Sequence, residues 1–86
     1  MKINKLINIL EQKLNENFKI SNLKIEDKSF LHTKHKSFDK KKFHIKLTIK
    51  SEELKLIKAI DSNRKIFSIL KKEIDNYIHS LQININ

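Results

Sequence analysis

The amino-acid sequence predicts an α+β domain whose elements follow the order helix, strand, strand, helix, helix, strand. Apolar residues recur every three or four positions in residues 2–17 and again after residue 61, which is typical of amphipathic helices. In residues 43–50 they instead alternate with polar residues, as in a strand with one buried face. With 86 residues, 38% apolar and 34% charged, the chain has the size and composition of a single small folded domain, residues 1–86.

The first predicted element is an amphipathic helix over residues 2–17. Its apolar residues fall at positions i, i+3, i+4, i+7 and i+11, and polar residues fill most positions between them. These apolar residues are Ile3, Leu6, Ile7, Leu10 and Leu14. Residues 23–27 then alternate apolar and polar side chains, which predicts a short strand with one buried face.

The second predicted strand, residues 43–50, has the most regular alternation in the chain. One face carries Phe43, Ile45, Leu47 and Ile49. His44 falls on the opposite, polar face, and we expect it to face solvent. The connection before this strand is longer than the usual hairpin loop of about two to five residues, and long connections often carry function.

Two helices and a last strand are predicted in the second half of the chain. Ser51, followed by two glutamates, indicates a helix start, because its oxygen can accept from free backbone N–H groups. We expect this helix to reach about Ile60, with Asp61 or Ser62 capping the next one. The apolar stripe of that next helix is Ile66, Phe67, Leu70, Ile74, Tyr77 and Ile78. We expect the first four members of this stripe to be core, and the alternation in residues 81–85 predicts the last strand.

The composition limits the chemistry of the chain. Without cysteine there is no disulfide, no thiolate nucleophile and no thiolate metal site, so a metal would need histidine or carboxylate ligands. The sequence also has no glycine-rich phosphate loop, no HExxH and no recognisable triad spacing, so we expect that it is not an enzyme. No apolar run approaches the roughly 20 residues of a membrane span. We therefore expect no membrane partner and a cytoplasmic location, with a mitochondrion or other organelle as the alternative if a targeting segment precedes the sequence.

Positive charge is concentrated around the connection between the first two strands. The net charge is +9, and residues 32–50 hold seven lysines and one aspartate, which supply +6 of it. This cluster favours a nucleic-acid-binding module, for DNA or RNA, as one hypothesis for function. The residues that would contact phosphates are Lys34, Lys36, Lys40, Lys41, Lys42, Lys46 and Arg64. A chain without glycine cannot form the GxxG loop that clamps nucleotides in KH domains, so this binding would be non-specific.

Three segments of the chain resemble the BolA family. Residues 27–32, DKSFLH, look like the family's acid-x-Ser-aromatic-x-His segment, and residues 43–45 look like its His-Phe-x-Val strand start from the phenylalanine onward. Residues 64–81 are similar, without a gap, to its Arg-x-Val-Tyr-x-x-Leu helix and the Val-His-Ala-Leu that follows, written here IHSL. The family's proline and glycine loop residues are absent, and Lys42 and Asn63 stand where it usually has histidines.

The resemblance implies a fold and a function. The implied fold is a three-stranded mixed sheet with the helices packed on one face, similar to one class of KH domain. The implied function is a non-enzymatic partner of monothiol glutaredoxins that takes part in iron–sulfur trafficking or iron regulation. Some bacterial members of the family are described as DNA-binding regulators of transcription.

The resemblance also implies a cofactor and its ligands. In the pair that is implied, the BolA-like chain and the glutaredoxin hold a [2Fe-2S] cluster between them, and glutathione supplies a further ligand. The ligands implied for this chain are His79 and His32, and His35 lies close enough in the same connection to replace His32. Because the chain has no cysteine, we expect it to hold no stable cluster alone. Without its partner we expect it to be a monomer or a weak dimer.

Overall fold

The computed structural model describes residues 1–29 and 42–86 of the chain. Its helices are α1 (Ile3–Asn17), α2 (Glu52–Lys55), α3 (Ala59–Ile69) and α4 (Lys71–Tyr77). Its strands are β1 (Asn22–Asp27), β2 (Phe43–Lys50) and β3 (Ile78–Ile85). The predicted α+β class and order of elements are confirmed, except that the third predicted helix is divided into α3 and α4. None of the helices within the described residues is both long and apolar enough to span a membrane.

The three strands form one mixed sheet in the order β1-β2-β3. β1 runs antiparallel to β2, with Asn22 opposite Lys50 and Asp27 opposite Ile45. β3 runs parallel to β2 along its other edge, so the chain must cross back over the sheet between them. Helices α2, α3 and α4 make this crossover. The mixed sheet that the family resemblance implied is therefore present.

The hydrophobic core lies between one face of the sheet and the helices. The central strand β2 contributes Ile45, Leu47 and Ile49, all at most 2% exposed. They pack in one cluster with buried residues of the helices, namely Leu6, Leu10, Leu14, Leu54, Ile66 and Leu70. Burying each such side chain contributes roughly 1.5–3 kcal/mol, so this layer accounts for much of the stability of a small domain.

The start of α3 differs from the prediction. Ser51 does cap α2, because its Oγ accepts from the N–H of Leu54 at 3.2 Å. Ser62, however, lies inside α3 rather than at its cap, fully buried. Its Oγ donates to the carbonyl oxygen of Leu54 at 2.7 Å, which ties α3 to the short helix before it. The hydroxyl of Ser62 therefore makes a tertiary hydrogen bond and does not form the helix cap that the sequence pattern predicted.

The apolar stripe predicted after residue 61 is only partly core. Ile66 and Leu70 are fully buried, whereas Phe67 is 41% exposed. The buried face of α3 is defined by Ser62 and Ile66, and Phe67 lies about 100° further round the helix. Ile78, which the pattern placed on the helix, begins β3 instead. The last strand therefore starts three residues earlier than expected, and this extension places His79 in the sheet.

Candidate functional site

His79 lies near the beginning of β3, at an irregularity in the sheet. Phe43 of β2 pairs with Ile78 of β3, but the next residue of β2, His44, pairs with Ser80. His79 is thus the extra residue on β3, as in a β-bulge. Bulges change the direction of side chains, and here His79 and Ser80, which follow one another, both contact the same residue of β2. Both are exposed, whereas Ile78 before them is buried.

The residue that both contact is His44, and it is only 6% exposed. Its Nδ1 lies 2.7 Å from the Oγ of Ser80. Its ring meets that of His79 edge to face, with the centroids 4.9 Å apart and the planes at 71°. The expectation that His44 faces solvent is therefore wrong. The alternation correctly predicted that His44 lies on the face of β2 away from the core. On that face, contacts with His79 and Ser80 help to bury it.

The backbone of His44 is held by the end of β1. Its N–H donates to the Oγ of Ser29 at 3.0 Å, and its carbonyl oxygen accepts from the N–H of Lys28 at 2.7 Å. Ser29 is itself held by Asp27, whose Oδ1 accepts from both the N–H and the hydroxyl of Ser29. The acid-x-Ser part of the family-like segment thus forms a local turn at the end of β1. The hydrogen bonds of Lys28 and Ser29 hold this turn against His44 of β2.

The structure describes one of the predicted metal ligands. His79 is exposed at the edge of the sheet, whereas His32 and His35 lie outside the described residues. Within residues 1–29 and 42–86, no group of three or more histidine, aspartate or glutamate side chains could hold a metal ion. The site as described is therefore one exposed imidazole packed on one buried imidazole. Sequence reasoning missed the part played by His44 and Ser80, because neither pairing follows from spacing along the chain.

These residues could supply part of the ligand set of a metal group that is bound between two proteins. An exposed imidazole can coordinate iron, and contact with a second ring would limit how far it turns. The chain has no cysteine, so any thiolate ligands must come from a partner. His79 could therefore supply one imidazole ligand to such a group, while the described residues alone do not form a closed metal site.

The predicted phosphate-contacting residues are divided between different parts of the fold. Lys42 precedes β2, and its Nζ donates to the carbonyl oxygen of Asp75 at 3.4 Å. Lys46 is half-buried on β2, two residues from His44 and on the same face. Arg64 is exposed on α3, where it lines a shallow groove with Phe18. Lys34, Lys36, Lys40 and Lys41 lie outside the described residues.

The polar face of β1 and β2 carries one acid among these bases. Glu26 is opposite Lys46 in the sheet, and its Oε2 lies 2.8 Å from the Nζ of Lys28. The hydrogen bond from Lys28 lowers the pKa of Glu26 below its ordinary value and outweighs the opposing effect of burial, and the charges of Lys24, Lys28 and Lys46 lower it by smaller amounts. The glutamate therefore stays ionised and offsets part of the positive charge next to His44.

A second concave region lies at the opposite end of the sheet. It is a groove of about 500 Å³ between the start of β1, the end of β2 and α2. Its lining combines bases and acids, namely Lys19, Lys50, Glu52, Glu53 and Lys55, with Ile20, Ser21 and Asn86. The N–H of Lys19 donates to Glu53 across it at 2.9 Å. Its charges are of both signs and it contains no imidazole, so it does not resemble a metal or phosphate site.

Known proteins resemble the chain over most of its length. A family model described as BolA-like protein matches residues 14–86. The DNA-binding transcriptional regulator BolA of Haemophilus influenzae is 30% identical over 77 residues, which make up 90% of this chain and 72% of that protein.

Solved structures share the fold. The BolA domain of SufE1 from Arabidopsis thaliana has a TM-score of 0.79 at 23% identity, covering 100% of this chain and 94% of that one. BolA1 from Arabidopsis thaliana has a TM-score of 0.78 at 24% identity, covering 93% and 88%. A bol-like protein from Babesia bovis has a TM-score of 0.70 at 19% identity, covering 91% and 79%. Because the family match runs from α1 to the end of β3 and includes the bulge with His79, the chain belongs to the BolA family.

Proposed function

We propose that this chain is a non-enzymatic adaptor that pairs with a monothiol glutaredoxin and holds a shared [2Fe-2S] cluster through His79. The observation that carries the proposal is the place of His79. It is an exposed imidazole on a β-bulge, in contact with a second, buried imidazole, within the segment that matches the family's Val-His-Ala-Leu. The role would be in iron–sulfur trafficking or iron regulation.

The chemistry divides between the two proteins. This chain supplies imidazole, and the glutaredoxin cysteine and glutathione supply the thiolates that it lacks. Replacing thiolate by imidazole ligands on one iron of such a cluster raises its reduction potential. The isolated chain would hold no stable cluster, because the ligands for the other iron are all on the partner.

The second ligand in this proposal is His32, with His35 as its substitute. The support comes from the end of β1, where Ser29 accepts a hydrogen bond from the backbone of His44. His32 is three residues after Ser29 in the sequence. Ser29, the last described residue before the connection that carries His32, is hydrogen-bonded to His44, and His44 contacts His79.

The test mixes the chain with a cluster-loaded monothiol glutaredoxin and glutathione. We expect the two proteins to co-elute and the visible absorption and circular dichroism of the cluster to change. His79→Ala should abolish the spectral change, whereas Gln82→Ala, at an exposed position on the same strand, should leave it intact. Unchanged spectra with the wild-type chain and no co-elution would contradict the proposal.

The same titration decides between the two histidines of the connection. His32→Ala should reduce the spectral change, and His35→Ala should leave it close to that of the wild type. If the two results are exchanged, His35 is the ligand and the assignment of His32 is wrong. If neither substitution has an effect, the second ligand does not come from this connection.

A second candidate function is binding of DNA or RNA. The observations that favour it are the net charge of +9 and the matched relative, which is described as a DNA-binding transcriptional regulator. The candidate contacts are the lysines of residues 34–46 and Arg64, of which Lys42 and Arg64 lie beside different elements. Such binding would be dominated by phosphate contacts and would weaken steeply with salt.

Fluorescence anisotropy with duplex DNA at about 50 and about 200 mM salt tests this candidate. Measurable binding at the lower concentration that weakens at least tenfold at the higher one would support it. Replacing Lys40, Lys41 and Lys42 together by glutamine should then reduce affinity, and replacing Lys2 and Lys5 in and before α1 serves as the control. No binding at the lower salt concentration would exclude it.

A further inference from the structure

We infer that His44, anchored by Ser80, is a positioning residue that holds the ring of His79 in one orientation before any metal is bound. The inference rests on the proposed function for its purpose, because it assigns a role toward the ligand His79. It goes beyond that function by naming two residues of this chain that act through the ligand rather than as ligands. Three features of the described residues carry it.

The first feature is that His44 is fixed at both its backbone and its ring. Its N–H and carbonyl oxygen are bonded to Ser29 and Lys28 at the end of β1. Its Nδ1 is 2.7 Å from the Oγ of Ser80, and the residue is 6% exposed. A ring held in this way can support a neighbour, which a solvated histidine on a strand cannot.

The second feature is the bulge in β3. In a regular strand, His79 and Ser80 would point to opposite faces of the sheet, and only one of them could contact His44. The register shift between the pairs Phe43–Ile78 and His44–Ser80 lets both reach it. The same irregularity therefore anchors the supporting ring and brings the ligand ring against it.

The third feature is the edge-to-face contact itself. The two rings have centroids 4.9 Å apart and planes at 71°, which is the arrangement that aromatic rings prefer. An exposed side chain without such a contact samples several rotamers, and coordination would have to select one of them. Groups that orient a metal-ligating histidine from behind typically change metal affinity by about 10- to 100-fold when they are removed.

The test begins with the isolated full-length chain, labelled with ¹⁵N and ¹³C and free of metal. Three-bond couplings at His79 report its χ1 rotamer, and long-range ¹H–¹⁵N correlations report the tautomer of its ring. We expect the wild type to show one dominant rotamer. Ser80→Ala and His44→Ala should shift the couplings toward rotamer averaging, whereas Asn84→Ala, on the same face of the same strand, should leave them unchanged.

A denaturation measurement on Ser80→Ala and one further variant, His44→Phe, separate positioning from general damage to the fold. Ser80 is exposed, so Ser80→Ala should unfold at nearly the same denaturant concentration as the wild type while still loosening His79. His44→Phe keeps an aromatic ring at this position but loses the bond to Ser80, and its couplings should fall between those of the wild type and His44→Ala. Averaged couplings at His79 in the wild type, or couplings that neither Ser80→Ala nor His44→Ala changes, would overturn the inference.

Titration with the cluster-loaded glutaredoxin then distinguishes failure of this inference from failure of the proposed function. We expect Ser80→Ala to weaken the cluster-bound complex by about tenfold, while His79→Ala abolishes it. If the wild type forms no complex but its His79 is ordered by His44, the proposed function fails and the positioning stands. If the complex forms and Ser80→Ala binds as tightly as the wild type, positioning has no effect on binding and the inference fails alone.

Discussion

The two ends of the sheet are built differently. Where β2 and β3 finish, serine hydroxyls and backbone groups close the fold: Ser21 donates to the carbonyl oxygen of Lys50, and Ser51 donates to that of Lys19. The N–H of Asn86 continues the ladder by donating to Ile49 at 2.8 Å. Where β2 and β3 begin, the register shifts and two imidazoles meet. We refer to these as the closed end and the histidine end.

The difference lies in what the serine hydroxyls bond at each end. At the closed end every contact named above satisfies a backbone group, which the fold requires wherever elements end. At the histidine end both serines hydrogen-bond to His44. Ser80 bonds to its ring, and Ser29 accepts from its backbone N–H. Substitutions at the two ends should therefore differ in what they change.

The largest expected effect comes from between the two ends, where Leu47 is fully buried at the middle of β2. Leu47→Ala should lower the free energy of unfolding by about 2–5 kcal/mol, because it removes buried apolar contacts and leaves a cavity. Urea unfolding followed by circular dichroism measures this. Leu56→Ala is the matched control, since Leu56 is 86% exposed, and its effect should stay within about 0.5 kcal/mol. Equal losses for both variants would contradict the assignment of the core.

At the histidine end, Ser29→Ala should lower the free energy of unfolding by about 1–2 kcal/mol. It removes the acceptor for the N–H of His44 and the donor to Asp27, and an unsatisfied buried group carries a cost of this size. We also expect the ring resonances of His44 and His79 to shift, because the strand beneath them is released. A wild-type unfolding midpoint with unchanged ring resonances would show that the hydrogen bonds of Ser29 contribute neither to stability nor to the arrangement of the two histidine rings.

At the closed end, Ser51→Ala should cost about 1 kcal/mol, the usual effect of losing a helix N-cap. In contrast to Ser29→Ala, it should leave the ring resonances of His79 and the cluster spectra as they are in the wild type. Ser68→Ala, at an exposed position inside α3, is the control for replacing a serine without losing a cap. An effect of Ser51→Ala on His79 would mean that the two ends are coupled through the sheet.

The smallest expected effect is the pH dependence that Glu26 contributes. Its pKa is lowered in the folded chain by the hydrogen bond from Lys28, so its stabilising effect is present above the ordinary glutamate pKa of about 4.3 and is lost as pH falls through the lower, folded value. Glu26→Gln should therefore make the loss of stability between neutral and acid pH slightly shallower. Unfolding midpoints measured from pH 7 downward test this, with Glu11→Gln as control, and identical profiles for Glu26→Gln and the wild type would contradict it.

Much of the fold could be predicted because it depends on local patterns. The apolar spacing of α1 defines which side of that helix is buried, and Leu6, Leu10 and Leu14 are fully buried as the pattern requires. The alternation in β2 likewise gives its core face, and Ser51 caps α2 as its sequence context predicts. Each of these follows from neighbours within four residues, so no knowledge of the tertiary fold is needed.

These errors involve tertiary contacts, which the local pattern of apolar and polar residues does not specify. Ser62 looked like a cap, but the carbonyl oxygen of Leu54 takes its hydroxyl, and Phe67 belonged to a helical stripe that the tertiary packing does not bury. His44 was placed on the correct face of β2, yet its burial depends on β3, 36 residues away. The family resemblance pointed to His79, but a sequence motif cannot show which side chain contacts the ring of that histidine.

The sequence by itself therefore determined the class of fold, the faces of α1 and β2, and the candidate ligand His79 with its family context. Only the tertiary structure decided that β3 starts at Ile78, that a bulge follows it, and that His44 contacts both His79 and Ser80. The physical reason is that periodicity states which side of an element is apolar but not its register against a neighbour. Register depends on how two strands pack together, and in this chain the position of His79 depends on register.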